Sequence, residues 1–240
     1  MKNFYDYPQI MHLPFSPVLD ENDKIAEYSD LDFMTSSIFS IYEKIDGANC
    51  GIALIDDNPV IRNRTKFLSK GNIKDTPASN QFKPIWNWFY ENKSKFEKLN
   101  SLYQSPMAVY GEWCLALHGI KYSLPSYFMA FDIWDLEKRQ FIGYKQAYID
   151  LRTCGFNVVP FLGDKKYNSL EEAKDDLINI CNTTKSRFSD EMIEGIIIRT
   201  HMNKSFNALK LIRSNYIQGS KWNFAKIQKQ ELRKGHEQWL

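Results

Sequence analysis

The chain has 240 residues, 43% of them hydrophobic and 15% aromatic, with 31 Lys and Arg set against 29 Asp and Glu. The formal net charge of +2 does not announce a nucleic-acid binder, and the apolar content is ample for one large domain or two small ones. No apolar run approaches the roughly 20 residues of a membrane span, and the start MKNFYDYPQIMHLPF holds no signal-peptide apolar region. The cysteines Cys50, Cys114, Cys154 and Cys181 are widely spaced without a CxxC pair, which argues against zinc and a disulfide framework and fits a reducing, cytoplasmic setting.

The stretch YEKIDGANCGIALID, from Tyr42 to Asp56, reads as a β-strand, and NPVIRNRTKF reads as the next, joined by the turn signal Asp56-Asp57-Asn58-Pro59. From Gln81 to Leu99 the pattern is helical: Phe82, Ile85, Trp86 and Phe89 fall at i, i+3, i+4 and i+7, with Pro84 tolerable in the first turn. PMAVYGEWCLAL and SYFMAFDIWDLE are strand-like. Tyr144 to Cys154 reads as a helix stopped by Gly155, and SLEEAKDDLINICN opens another with Ser169 and Glu172 at capping-box spacing. EGIIIRT and NALKLIRS are two more apolar strands, and the tail with Phe224, Ile227 and a final EQWL reads as helical. Strands and helices mix without a βαβ rhythm, so the expected class is α+β with mainly antiparallel sheet.

Charge is distributed less evenly than its sum suggests. From Lys204 to Leu240 there are eight Lys and Arg against two acids, and Arg62, Arg64, Lys66, Lys70 and Lys74 form a second cluster. Local basic surface is what phosphate binding needs, while a solvated helix face would account for the tail equally well.

The lysine in YEKIDG carries the sharpest chemical question. Lys44 and Asp46 are two apart, hence on one face of a strand, and Gly47 follows. A lysine with an ordinary pKa is almost wholly protonated at neutral pH, so a nucleophilic one needs burial or nearby positive charge to lower it. Arg62 and Arg64, two apart on the next strand, could supply that charge, and Gly47 would let a phosphate or a neighbouring chain come close. The plainer reading is a paired charge on an edge strand, with Asp46 holding the turn through a backbone hydrogen bond.

Lys44-Ile45-Asp46-Gly47 resembles the KxDG signature of the covalent nucleotidyltransferases, a superfamily of DNA ligases, RNA ligases and capping enzymes. Further motifs follow in order: RNRT resembles the arginine motif, VYGEW the first glutamate motif, YFMAFDI the base-stacking motif, EGIIIR the second glutamate motif and LKLIR the closing lysine motif. The wider string YEKIDGAN is most similar to the RNA ligase 2-like family. The resemblance implies an α+β nucleotidyltransferase (ATP-grasp-like ligase) domain with mainly antiparallel sheets flanked by helices. It implies an ATP-dependent RNA ligase, acting in RNA repair, that joins 5′-phosphate and 3′-hydroxyl ends through a lysyl-AMP intermediate with Mg²⁺ or Mn²⁺.

Carried over residue by residue, the resemblance makes Lys44 the nucleophile. Arg64 contacts the nucleotide and later the RNA 5′ end, with Arg62 the alternative. Glu112 binds the ribose, and Phe128 stacks on adenine, sharing a face with Ala130 and Asp132 while Phe131 points away. Glu194 lies at the divalent metal, Lys210 neutralises the phosphates, and Glu43, Ile45 and Asn49 complete the nucleotide pocket. The family's last motif carries two lysines one residue apart, but this string is Lys210-Leu211-Ile212. Arg213 or Lys221 could stand in, or Lys210 is the second lysine with Ala208 in the first place. Only 27 residues follow Arg213, too few for an OB-fold, so the expectation is one adenylyltransferase domain over 1–240, with a basic helical tail from about 214 and RNA binding helped by a possible protein partner. The rival readings are a small DNA ligase or capping-type guanylyltransferase, and a nucleic-acid-binding module without turnover. His118 reads as structural, and Trp86 and Trp88 as a core residue and its flank.

Overall fold

The computed structural model describes residues 3–19, 21–73, 76–200, 208–222 and 226–233. In chain order the elements are β1 (Met11–His12), a 3₁₀ turn at Tyr28–Leu31, α1 (Phe33–Ser36), β2 (Phe39–Lys44), β3 (Ala48–Ile55), β4 (Asn58–Asn63) and β5 (Phe67–Leu68). There follow α2 (Pro77–Asn80), α3 (Ile85–Glu91), α4 (Lys93–Tyr103), β6 (Met107–Trp113), β7 (Ser123–Leu124), β8 (Phe128–Asp135) and β9 (Gln140–Phe141). Last come α5 (Tyr144–Thr153), β10 (Phe161–Lys165), α6 (Leu170–Thr183), β11 (Gly195–Arg199), β12 (Ala208–Ile212) and β13 (Glu231–Leu232).

The strands form two large sheets. One has the order β1-β12-β11-β2-β10, antiparallel except for β1 against β12, and the other is an antiparallel sheet in the order β5-β4-β3-β6-β8-β9. Strand alternation gives each sheet an apolar outer face for helices. Ile52, Val109, Phe128 and Ile133 of the six-stranded sheet pack with Phe89 of α3, Phe96 of α4 and Leu151 of α5. Ile41, Ile196, Ile198 and Leu211 of the other sheet pack with Leu177 and Cys181 of α6. The class is therefore α+β with mostly antiparallel sheets flanked by helices.

Several expected elements differ in a way the backbone explains. The stretch from Tyr42 is not one strand: β2 ends at Lys44, and Ile45-Asp46-Gly47 carries the chain into the other sheet. Asp46 therefore leaves the face of Lys44. Its Oδ2 accepts from the amides of Gly119 at 2.6 Å and Ile120 at 3.2 Å, and its own amide donates to the Tyr122 hydroxyl at 3.0 Å. Glycine is required at 47, because a Cβ there would sit 2.9 Å from the Trp113 carbonyl oxygen. The long helix divides at Asn92, whose side chain donates to the Trp88 carbonyl at 2.8 Å and gives the backbone a local alternative. Asp56 and Asp57 both take positive φ between β3 and β4, so the hairpin is a two-residue turn. Ser169 caps α6 through the Glu172 amide at 3.1 Å, and Gly155, at φ +87°, follows α5. Trp86 is buried and Trp88 packs against the same core. The four cysteines are free and buried.

The tail expected as a helix is, among the described residues, turns and the short strand β13, which runs parallel to β7. Backbone bonds to the 115–124 segment, among them Leu117 to the Gln228 carbonyl, Gln230 to the Leu115 carbonyl and Arg233 to the Leu124 carbonyl, hold it extended. Lys204, Phe224, Lys234 and the closing EQWL lie outside the described residues, as does Lys74 of the other basic cluster.

Candidate active site

The inner faces of the two sheets meet around a cavity of about 1100 Å³. Lys44, the last residue of β2, faces into it at the point where the chain leaves one sheet for the other. Its register partner on β11 is Gly195, which brings the preceding residue, Glu194, beside it. The Lys44 ammonium donates to Glu194 Oε1 at 2.6 Å, while Glu194 Oε2 is buried without a hydrogen-bond partner among the described residues. Asn49 and Glu112 are register partners on β3 and β6, and both line the same wall.

The electrostatics are dominated by carboxylates. Burial acts to lower the Lys44 pKa, but Glu194, Glu112 and Asp46 outweigh it and raise it above the ordinary lysine value. The lowered pKa expected of a nucleophilic lysine is thus absent in this ligand-free arrangement, because the neighbours are acids and not arginines. Burial pushes Glu112 up to about 8 against the pull of Lys44, and Glu194 up to about 7 for the same reason. Lys44 is thus surrounded by three acids, two of which burial drives toward their protonated forms.

The arginine motif divides its two residues. Arg62 is buried, donates to the Phe4 carbonyl at 3.1 Å, pairs with Asp6 and lies over the rings of Phe4 and Phe67. β4 ends at Asn63, whose side-chain oxygen accepts from the amides of Thr65 and Lys66, and this turn leaves Arg64 exposed at the cavity. The expectation that both arginines share a face fails for that reason. Lys210, on β12, also lines the cavity; it donates to Asp23 at 3.0 Å, and Asp23 in turn lies 3.0 Å from His12 Nε2.

This arrangement of a strand-end lysine, two glutamates and flanking cations lies inside residues 37–212, and those residues match the RNA ligase family. The chain belongs to the RNA ligase family. Among solved structures it is similar to Naegleria gruberi RNA ligase with pyrophosphate, at TM-score 0.55 and 18% identity over 77% of this chain and 52% of that one. A variant of that enzyme with ATP and Mn gives TM-score 0.55 at 17% identity over 77% and 52%, and another with AMP and Mn gives 0.53 at 17% over 76% and 52%. At these identities the likeness shows the fold, a nucleotidyltransferase-type fold, and the chain spans about half the length of those structures. No curated protein sequence matches the chain.

Three site expectations need correction in this chain. Phe128 does not face the cavity; it is 1% exposed and packs on Trp88 in the helix-side core, ring centroids 5.0 Å apart. Phe131 lines the cavity instead. The pairing with β6 is the reason: Phe128 lies opposite Trp113 and Met129 opposite the cavity residue Glu112, so Phe128 takes the helix side and Phe131 the cavity side. β6 and β8 then change register between Tyr110 and Gly111, with Tyr110 opposite Asp132 and Gly111 opposite Ala130. Phe131 is the extra residue, so alternation fails there and both Phe131 and Asp132 turn inward. Glu43 lies on the strand face opposite Lys44, where its carboxylate accepts from the Ser186 hydroxyl and the Arg187 amide. Neither suggested stand-in for the missing lysine reaches the cavity: Arg213 donates to the Ile193 carbonyl and Lys221 pairs with Glu191.

Sequence reasoning missed His12 and Asp23, which the lead-in segment brings into the wall, and the buried group of Arg199, Asp132 and Tyr7. Arg199 donates to Asp132 Oδ2 at 2.6 Å and so ties β11 to β8 across the cavity, with the Tyr7 hydroxyl donating to the same oxygen at 2.6 Å. The available signal was an acid inside the apolar FMAFDIW and a base closing the apolar GIIIR. The Asp23 and His12 positions carried no comparable signal.

Proposed function

We propose that this chain is an ATP-dependent RNA ligase of the RNA ligase 2-like type, a nucleotidyltransferase that joins 5′-phosphate and 3′-hydroxyl RNA ends through a lysyl-AMP intermediate. The observation that carries the reading is Lys44: an amine at the junction of two sheets, facing a cavity whose walls hold Glu112, Glu194, Arg64 and Lys210. The lining joins these charged groups with an aromatic cluster of Tyr42, Phe131, Tyr144 and Tyr148. A nucleotide offers phosphates to the first and a base to the second.

In the first step the neutral Lys44 amine attacks the α-phosphorus of ATP. A P–N bond forms, the bond to the β-phosphate oxygen breaks, and pyrophosphate leaves. Lys210 and Arg64 offset the charge on the phosphates, and Glu112 and Asn49 hold the sugar side. The adenylate then passes to an RNA 5′-phosphate, and a 3′-hydroxyl displaces AMP. The partnerless Glu194 oxygen offers one protein ligand to a divalent cation, Mg²⁺ or Mn²⁺, and no group of three or more His, Cys, Asp or Glu that could hold an ion occurs among the described residues. Glu194 would hold it, and the ion would supply charge neutralisation at the α-phosphate. The part-buried Lys44–Glu194 pair keeps the amine protonated until that charge is redistributed.

Incubation with labelled ATP, and separately labelled GTP, followed by a denaturing gel, tests the reading. A covalent AMP adduct is the expected outcome. A GMP adduct selects a capping-type enzyme, and no adduct with either selects a binding module. Matched nicked RNA, nicked DNA and single-stranded RNA then separate RNA from DNA sealing.

A further inference from the structure

The KIDG aspartate is anchored not to its own sheet but to a loop, and that loop is in turn held by the C-terminal tail. Gly119 and Ile120 donate both amides to Asp46 Oδ2. Directly behind them, Gln230 is 3% exposed, and its amide group is satisfied at both ends. Gln230 Nε2 donates to the Ile120 carbonyl at 2.8 Å, and Gln230 Oε1 accepts from the Tyr122 amide at 2.8 Å. The Tyr122 hydroxyl accepts from the Asp46 amide at 3.0 Å, so Asp46 is held through both residues that Gln230 holds. The flanking backbone continues the seam: Leu117 donates to the Gln228 carbonyl at 2.7 Å and Gln230 to the Leu115 carbonyl at 2.9 Å.

We propose that Gln230 is a positioning residue for nucleotidyl transfer, acting through Ile120, Tyr122 and Asp46 on the link that sets Lys44 at the end of β2. The carboxamide donates to one backbone group and accepts from the other. Leucine would leave a buried carbonyl and a buried amide unpaired, and the Gly119–Ile120 amides would lose their fixed aim. The tail is therefore a part of the active-site scaffold, supplied from a segment outside the nucleotidyltransferase motifs. This inference deepens the proposed function and rests on it.

The test uses the full chain with labelled ATP and Mn²⁺, comparing Gln230→Leu, Gln230→Glu and Lys229→Ala with wild type. The folded fraction is measured by near-UV circular dichroism. At saturating ATP, Gln230→Leu should lower the rate constant of adduct formation on the order of tenfold to a hundredfold, the loss a slightly misplaced reacting group brings. The ATP concentration for half-maximal rate should stay within about twofold, since no phosphate or base contact is removed. Gln230→Glu, which keeps the acceptor and loses the donor, should fall between, and Lys229→Ala should match wild type. Hydrogen exchange should show faster exchange at the Gly119 and Ile120 amides in Gln230→Leu. A wild-type rate constant in the folded fraction of Gln230→Leu, or unchanged exchange at those amides, overturns the proposal. If wild type itself forms no adduct, the functional reading fails, and the exchange measurement still judges the link from Gln230 to the Asp46 loop.

Discussion

Lys44 and Glu194 meet at 2.6 Å because β2 and β11 are paired in a register that sets Lys44 opposite Gly195. The pair makes the ligand-free amine a poor nucleophile. Burial alone would lower its pKa, yet Glu194 and Glu112 reverse the sign. The rate of adduct formation should therefore climb with pH through the neutral and alkaline range, as the fraction of free amine rises. Glu194→Gln removes the strongest opposing charge, so the climb should begin at lower pH even though the maximal rate falls. Lys44→Ala and Lys44→Arg should form no adduct, since guanidinium stays protonated throughout. Single-turnover rates across pH, at fixed ATP and metal, decide this; a profile that Glu194→Gln leaves in place sinks the assignment.

Folding stability without nucleotide should fall as pH rises. Glu112 has an ordinary value of 4.5 and is raised to about 8 in the folded chain, so between those values the folded state holds a proton the unfolded state has lost. The associated stability is fully present below 4.5 and is lost as pH passes through about 8. Glu194, raised to about 7, acts in the same direction. Glu112→Gln should flatten the decline and melt above wild type at alkaline pH, read by melting temperature from about pH 5 to about pH 9. A Glu112→Gln protein with the same pH slope as wild type would mean that water in the cavity already solvates the carboxylate.

The strands and helices were legible in this chain because apolar alternation and helical spacing act locally. Ile85, Trp86 and Phe89 line one helix face as their spacing demands, and Ile196 and Ile198 share a sheet face. What was illegible depends on partners far along the chain. The break at Asp46 exists because two amides seventy-odd residues later bind it, and the bulge at Phe131 is a mismatch between two strands that no single residue announces. His12 and Asp23 reach the cavity only because β1 pairs with β12. Order in the motif string picked out Lys44, Arg64, Glu112, Glu194 and Lys210, which line one cavity; side-chain direction near irregular backbone was where it failed.

Arg62 and Arg64 should separate cleanly. Arg62 is buried under two phenylalanine rings and bonded to the Phe4 carbonyl, so Arg62→Ala should cost about 1.5–3 kcal/mol of stability, the range for hydrogen bonds to charged groups. Arg64 is exposed at the cavity, and Arg64→Ala should stay within about 0.5 kcal/mol of wild type in stability. Its loss should show in adenylate formation and in sealing. Urea unfolding alongside adduct and nick-sealing assays makes the comparison. Destabilisation by Arg64→Ala with intact adduct formation would reverse the two roles.

Phe128 and Phe131 provide the sharpest test of which face of β8 meets the nucleotide. Phe128 sits among Trp88, Trp113 and Ala130 on the helix side, and Phe131, on the other face, turns toward the cavity. Phe128→Ala should therefore cost about 3–5 kcal/mol of folding stability, the loss from emptying a close-packed aromatic site. Phe131 is only partly buried and has Tyr7 on one side, at 5.1 Å between ring centroids, so Phe131→Ala should leave most of the fold intact. It should weaken ATP use by roughly 1–3 kcal/mol, the worth of one base stacked on one ring. Phe131→Leu should recover part of that loss through apolar contact. Denaturant unfolding and the ATP dependence of adduct formation, measured on the same preparations, give both quantities. If Phe128→Ala folds normally and loses ATP affinity while Phe131→Ala unfolds, the nucleotide base meets the other face of β8.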